Sequence, residues 1–151
     1  MSENEIIQLY SRRILALAAA IPHLGRLPEP DGTAQRRAPL CGSTVTADVV
    51  LREGRVTGFA QDVKACALGQ AAAAILGGAV IGKDRGAITA ARAALAAMLS
   101  GQDVPFPPGF ADLEVLRAAR DYPNRHASIL LPFDALIGAI DAEKTAAIPR
   151  G

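Results

Sequence analysis

The spacing of apolar positions changes several times along the chain, and each change predicts an element. Over residues 3–20, Ile6, Leu9, Ile14, Leu15 and Leu17 fall on one side of a helical wheel and Arg12 and Arg13 on the other, the pattern of an amphipathic helix. Pro22 closes it, because the residue before a proline is pushed out of the helical region. Residues 22–37 carry Pro22, Gly25, Pro28, Pro30 and Gly32 and read as a long connector. The period then shortens towards two. Thr44 to Leu51 and Arg55 to Val63 read as strands, joined through the hairpin loop Arg52-Glu53-Gly54. Val56, Gly58, Ala60 and Asp62 share a face of the second strand, with Gly58 a candidate bulge. From Ala67 the helical period returns: one helix over 67–76, broken at Gly77-Gly78, and another over 84–99 with Ile88, Ala91, Leu95 and Met98 facing in and Gly101 as its stop. Residues 102–110 are a proline-rich loop, 112–120 a short helix and 122–126 a loop. Residues 128–141 form a last helix with Ser128 as N-cap or in the first turn. Pro132 suits only a first turn, which draws the start of that helix towards Leu131. The result is an α+β fold, a small antiparallel sheet with helices packed on one face.

Composition narrows the picture. The chain has 151 residues, which suits one domain; residues 1–141 are assigned to it and 142–151 to a flexible C-terminal tail. Lys and Arg number 16 against 15 Asp and Glu, and aromatics make up 4%. That balance offers neither the charge to neutralise a phosphate backbone nor a platform for stacked bases, so nucleic acid is not an expected partner. The acidic start, Met1-Ser2-Glu3-Asn4-Glu5, is unlike a secretory signal, and the expected compartment is the cytoplasm, with both cysteines as free thiols. Residues 65–82 are uncharged and approach the length of a membrane span. They are dominated by Ala and Gly rather than Leu, Ile, Phe and Val, and read as a buried helix with no membrane partner.

Two thiols carry the candidate chemistry. Cys41 sits in the turn Ala38-Pro39-Leu40-Cys41-Gly42-Ser43 just before a strand, and Cys66 sits where a strand becomes a helix. Unpaired N–H groups and the positive dipole end at a helix start make a thiol a better nucleophile or ligand; the plainer reading is a small buried hydrophobe. Two cysteines do not make a four-thiolate site within one chain. With His126 they make a thiolate–imidazole set suited to zinc or iron–sulfur chemistry. Asp62, at the same strand end as Cys66, is a possible oxygen ligand or base, or a solvated strand-end charge. No Gly-rich phosphate loop or G-x-S-x-G element is present, which removes support for nucleotide binding and for the common serine-hydrolase signature.

These residues resemble the iron–sulfur cluster assembly scaffold family of IscU, SufU and the N-terminal domain of NifU. The family's Pro-x-Cys-Gly-Asp turn is Pro39-Leu40-Cys41-Gly42-Ser43 here, followed by a hairpin. Its second cysteine, opening a small-residue helix, is Cys66 in Ala65-Cys66-Ala67-Leu68-Gly69-Gln70. Its Gly-Lys element is Gly82-Lys83-Asp84. Residues 102–120, with Asp112-Leu113-Glu114-Val115-Leu116, match the extra segment of the SufU branch. The third motif appears as Pro123-Asn124-Arg125-His126-Ala127-Ser128. The departures fall at ligand positions. Ser43 replaces the aspartate, and the third cysteine is replaced by Ser128 or by Ala127, depending on which family string is matched. The Leu-Pro-Pro-Val-Lys string of IscU is absent.

The resemblance implies a SufE/NifU-like fold with about three strands. It implies a scaffold or sulfur-transfer protein that receives sulfur from a cysteine desulfurase and serves apo iron–sulfur proteins. Iron or a [2Fe–2S] cluster is the implied cargo, and zinc is an alternative. Cys41 is the implied sulfur acceptor, Cys41, Cys66 and His126 the implied metal ligands, and Ser43, Asp62 and Ser128 weak ones. The chain is expected as a monomer or homodimer, and as a carrier rather than a catalyst. One alternative is a metal-free adaptor that keeps the fold and docks on the assembly machinery. Another is a thiol-dependent enzyme using Cys66 with His126 as base.

Overall fold

A computed structural model describes residues 10–147, with side chains through residue 143. Its elements run α1 (Arg12–Ala19), β1 (Gly32–Arg37), β2 (Thr44–Arg52), β3 (Arg55–Lys64), α2 (Ala67–Ala79), α3 (Arg85–Leu99), a 3-10 helix (Ala111–Ala119), a 3-10 turn (Pro123–Arg125) and α4 (His126–Ala147). The strands form one antiparallel sheet in the order β1-β2-β3. Helix α4 lies across β1 and β2, and α2 is held between α1 and α4. The α+β class and the three-stranded sheet agree with expectation.

Helix α1 begins at Ser11, whose hydroxyl accepts a hydrogen bond from the Ile14 N–H at 3.3 Å. Ile14 is fully buried, and the arginines Arg12 and Arg13 face out. The earlier part of the expected helix, including Ile6 and Leu9, lies outside the described residues.

The expected connector over 22–37 contains a strand that its sequence does not announce. Thr33-Ala34-Gln35-Arg36-Arg37 has no apolar alternation. It becomes β1 by pairing with β2, from Gly32↔Val49 to Arg37↔Thr44. Gly32 is required there, since a side chain would collide with the Ala139 carbonyl of α4. The bulge expected near Gly58 is present: Val50 pairs with Gly58 and Leu51 with Val56, which leaves Thr57 without a partner across the ladder. Val45, Ala47 and Val49 of β2 and Phe59 of β3 join the core with Ile129, Phe133, Leu136 and Ala139 of α4.

Three further elements differ from expectation, each for a packing reason. Helix α2 runs through Gly77-Gly78 to Ala79 rather than stopping at residue 76. Gly77 lets it approach the sheet: a Cβ there would stand 2.9 Å from Gln61 Nε2 and 3.0 Å from Pro22 Cγ. The expected helix over 112–120 is a 3-10 helix. Phe110, Leu113, Leu116 and Ala119 are all fully buried, and a three-residue repeat lines up in a 3-10 helix where an α-helix would rotate it away. Helix α4 starts at His126 and carries Pro132 inside it, where burial of Ile129, Phe133, Leu136 and Ala139 against the sheet and helices outweighs the missing hydrogen bond, a penalty of about 3 kcal/mol. It also continues past Asp141 to Ala147, through the helix-forming run Ala142-Glu143-Lys144, so the start of the expected tail is helical. Among the described residues no helix is long and apolar enough to cross a membrane.

Candidate functional site

Three chain segments meet at one end of the sheet. The first is the β1–β2 turn. Gly42 adopts φ +70, its N–H donates to the Ala38 carbonyl at 2.9 Å, and the Ala38 N–H donates to Ser43 at 2.8 Å. This closed turn carries Cys41 at its tip and aims Ser43 inward. Leu40, beside Cys41, is 81% exposed. The second segment is the start of α2. Cys66 is its N-cap residue, with extended φ −67 and ψ 169 and no side-chain capping bond, which leaves the thiol free to face the turn. The third is the first turn of α4, which supplies Ser128. Ser128 is fully buried while Ala127 is exposed, so the position facing the thiols is 128.

Their side chains form a line. Cys41 Sγ lies 3.5 Å from Ser43 Oγ, Ser43 Oγ lies 2.9 Å from Ser128 Oγ, and Ser128 Oγ lies 3.5 Å from Cys66 Sγ. Both hydroxyls are buried; both sulfurs are half-exposed. Each hydroxyl has one proton to donate, so two hydroxyls serve only two of the three contacts and the third proton comes from a thiol. The line therefore runs from a thiol at one end to a sulfur at the other that only accepts. The Ser43 hydroxyl pulls the Cys41 thiol below its ordinary value. Partial burial opposes this, and the Ser43 backbone N–H, the Ser128 hydroxyl and the Arg125 charge add to it. That lowering favours Cys41 as the accepting end of the line.

Two features set the position of Ser128. Pro132 has no N–H to return to the residue four before it, which leaves the Ser128 carbonyl without its helical donor. Gly69, one turn into α2, lets that region of α4 approach: a Cβ there would lie 2.7 Å from Ser128 Oγ and 3.0 Å from Ser128 O. The signal in the sequence was Gly69 three residues after Cys66, on the same helix face.

The remaining candidates are placed differently. His126 Nε2 lies 2.9 Å from the Ala119 carbonyl oxygen. Asp62 is exposed and pairs in register with Thr46, on the sheet face that alternates away from the core side chains Val45 and Val63. Apart from these candidates, His23 sits at φ 61 in the connector, its ring edge-on to Phe59 at 5.8 Å. Among the described residues no three of His, Cys, Asp and Glu converge as a metal-ligand set. The structure brings together two thiols and two hydroxyls, two of the four strong ligands that iron or zinc ordinarily takes.

No family model matches the chain. Its fold and sequence do match known proteins. It is 42% identical to the N-terminal part of a NifU-like protein from Brucella abortus, with a TM-score of 0.89 over 93% of this chain and 98% of that one. It is 24% identical over 140 residues to the iron–sulfur cluster assembly scaffold protein IscU of Streptococcus pyogenes serotype M1, covering 93% of this chain and 87% of that protein. A protein from Fervidobacterium islandicum AW-1, described as a cluster assembly scaffold for the SUF system, shares the fold with a TM-score of 0.81 at 19% identity, over 89% of this chain and 98% of that one. The motif residues, the three-stranded sheet and these likenesses agree, and the chain belongs to the IscU/SufU/NifU N-terminal scaffold family.

Proposed function

We propose that this chain acts in iron–sulfur cluster assembly, as a scaffold or sulfur-transfer protein whose cargo is handled at Cys41 and Cys66. The line Cys41–Ser43–Ser128–Cys66 carries this reading. It joins the two family cysteines across three chain segments and leaves both sulfurs reachable. Cys41, drawn towards the thiolate, is the sulfur acceptor, and a cysteine desulfurase is the expected donor. The exposed Leu40 beside it provides an apolar contact for that partner or for an apo acceptor.

Iron or a nascent [2Fe–2S] cluster is cargo here, held first by the two thiolates. The rest of the shell comes from the serine hydroxyls, water, a second subunit, or His126 if it releases the Ala119 carbonyl. The test is anaerobic incubation of the purified protein with ferrous iron and sulfide, read by visible absorption and by bound iron and sulfide. Cys41→Ser and Cys66→Ser each abolish uptake if the reading holds. Undiminished uptake by both variants rejects it.

A further inference from the structure

Two residues of the site are hydroxyls where the family motif has a carboxylate and a thiolate, and they are its most buried members, Ser43 at 3% and Ser128 at 0% exposure. Their mutual contact of 2.9 Å is a full-strength hydrogen bond, and each also reaches one sulfur at 3.5 Å. Serine is a weak ligand for soft metals, which thiolates select. As hydrogen-bond partners, by contrast, the two serines are well placed, since they use their protons on each other and on sulfur and leave no buried hydroxyl unpaired. The residues thus fit a tightly held metal poorly and a sulfur anion well.

Resting on the function proposed above, we propose that Ser43 and Ser128 are positioning residues, and that their hydroxyl pair stands in for the missing third thiolate so that this chain holds sulfane sulfur on Cys41 without a metal. The substrate class is a persulfide. The Cys41 sulfur attacks the terminal sulfur of the incoming persulfide. A Cys41 Sγ–S bond forms as the donor's S–S bond breaks, and the donor leaves as a thiolate with that electron pair. The transferred sulfur brings its own proton or charge, so no external oxidant or reductant is consumed. The Ser43 hydroxyl then orients the loaded sulfur. Ser128 fixes Ser43 on one side and Cys66 on the other, keeping the second thiol facing the first. Gly69 leaves the space this requires, because a side chain there would press on Ser128 Oγ.

The experiment uses the full chain after chelator treatment, loaded anaerobically with a small-molecule persulfide. Intact mass spectrometry reads the added sulfur, peptide mapping locates it and a time course gives its lifetime. The expected result is loading of Cys41 in the metal-free protein, with a lifetime shortened about tenfold or more in Ser43→Ala, which loses one hydrogen bond to a charged group, and shortened by less in Ser128→Ala, which loses the bond that fixes Ser43. Melting curves identify a variant that fails to fold. Ser128→Cys, which keeps a polar side chain at the position, supplies a second reading. It gains zinc affinity by at least about tenfold through a third thiolate whatever the serine does; its metal-free sulfur lifetime is the reading that tests the proposal, since it falls if the hydroxyl line holds the sulfur and stays at the wild-type value if Ser128 is merely structural. The proposal is overturned if the wild-type chain takes up sulfur only with zinc or iron present, or if folded alanine variants keep the wild-type lifetime. Either result leaves cluster uptake through Cys41 and Cys66 standing, whereas loss of that uptake in the wild-type chain would strike the broader reading first.

Discussion

Strand β2 touches two buried polar clusters that solve the problem of burying polar groups in opposite ways. In its middle, Asp48 is fully buried, and every oxygen is used. Arg26 reaches it through Nε at 2.7 Å and Nη2 at 3.1 Å, the Leu27 N–H donates at 3.0 Å and the Thr33 hydroxyl at 2.6 Å. Burial pushes the Asp48 carboxyl up, but these hydrogen bonds outweigh it and hold the group below the usual carboxylate range. The cluster is closed and pins the connector onto the outer face of the sheet. At the start of the strand, the cluster around Ser43 is built from neutral hydroxyls and ends on two half-exposed sulfurs. A closed ionic cluster has no unused valence and fixes structure. An open hydroxyl line ends on reactive atoms that solvent and partners can reach, as a site that loads and unloads cargo requires.

Breaking the closed cluster has the larger effect on stability. Removing one partner of a buried ion pair costs about 3–5 kcal/mol. The Arg26 side chain is 55% exposed and can return to water, which lowers the expected cost of Asp48→Asn to about 2–3 kcal/mol in denaturant unfolding. The pH dependence has a definite sign. The folded carboxyl titrates below its unfolded value of about 3.9, so its stabilisation is complete above that value and fades as pH falls through the folded one. Wild type therefore loses stability as pH falls below about 4 more steeply than Asp48→Asn, and cargo uptake at neutral pH is unchanged in the variant. Equal acid sensitivity in the two proteins would show that Asp48 is not the structural charge described.

A smaller effect separates packing at the open cluster from ordinary helix propensity. Alanine in place of a helical glycine ordinarily stabilises by about 0.5–1 kcal/mol. At Gly78, which has nothing within 4 Å of an added Cβ, that gain is expected in full. At Gly69 the added methyl meets Ser128 Oγ at 2.7 Å and Ala65 Cβ at 2.9 Å, and overpacking of this kind costs about 1–3 kcal/mol. Gly69→Ala thus melts lower and Gly78→Ala higher than wild type in the same thermal scan, and only Gly69→Ala shortens the lifetime of sulfur on Cys41.

The two clusters also differ in how much of them the sequence discloses. Cys41 and Cys66 were legible because Cys-Gly in a proline turn and a cysteine at a strand-to-helix junction are local patterns. Their union with Ser128 depends on the register of α4, which the sequence left between positions 127 and 128 until burial chose. The partners of Asp48 were not legible at all, because Arg26 and Thr33 lie in a stretch with no apolar period. Strand β1 was hidden for the same reason, since it is recruited by its neighbour rather than by its own propensity. The glycines and the proline misled where packing overrode local preference. Gly77 reads as a break but serves close approach to Gln61 and Pro22, and Pro132 reads as a start but lies inside α4.

The smallest expected effect tests which group governs Cys41. The Ser43 hydroxyl is the leading cause of its lowered thiol value and the Arg125 charge a minor one. A lowered value means more thiolate near neutral pH, so iodoacetamide modifies Cys41 with a pH profile centred below that of an unstructured cysteine. Ser43→Ala removes the leading cause and moves that centre upward, slowing modification at pH 7. At alkaline pH, where the thiol is ionised in every variant, the rates converge. Arg125 is half-buried and reaches the sulfur through partly screened solvent. Arg125→Gln therefore slows modification at pH 7 by less than about threefold, and the difference shrinks further when ionic strength rises from about 0.05 to 0.5 M. If Arg125→Gln instead matched Ser43→Ala, and salt erased both effects, charge rather than the hydroxyl line would set the thiolate. The contrast between an ionic cluster that fixes structure and a neutral one that handles sulfur would then fail at its open end.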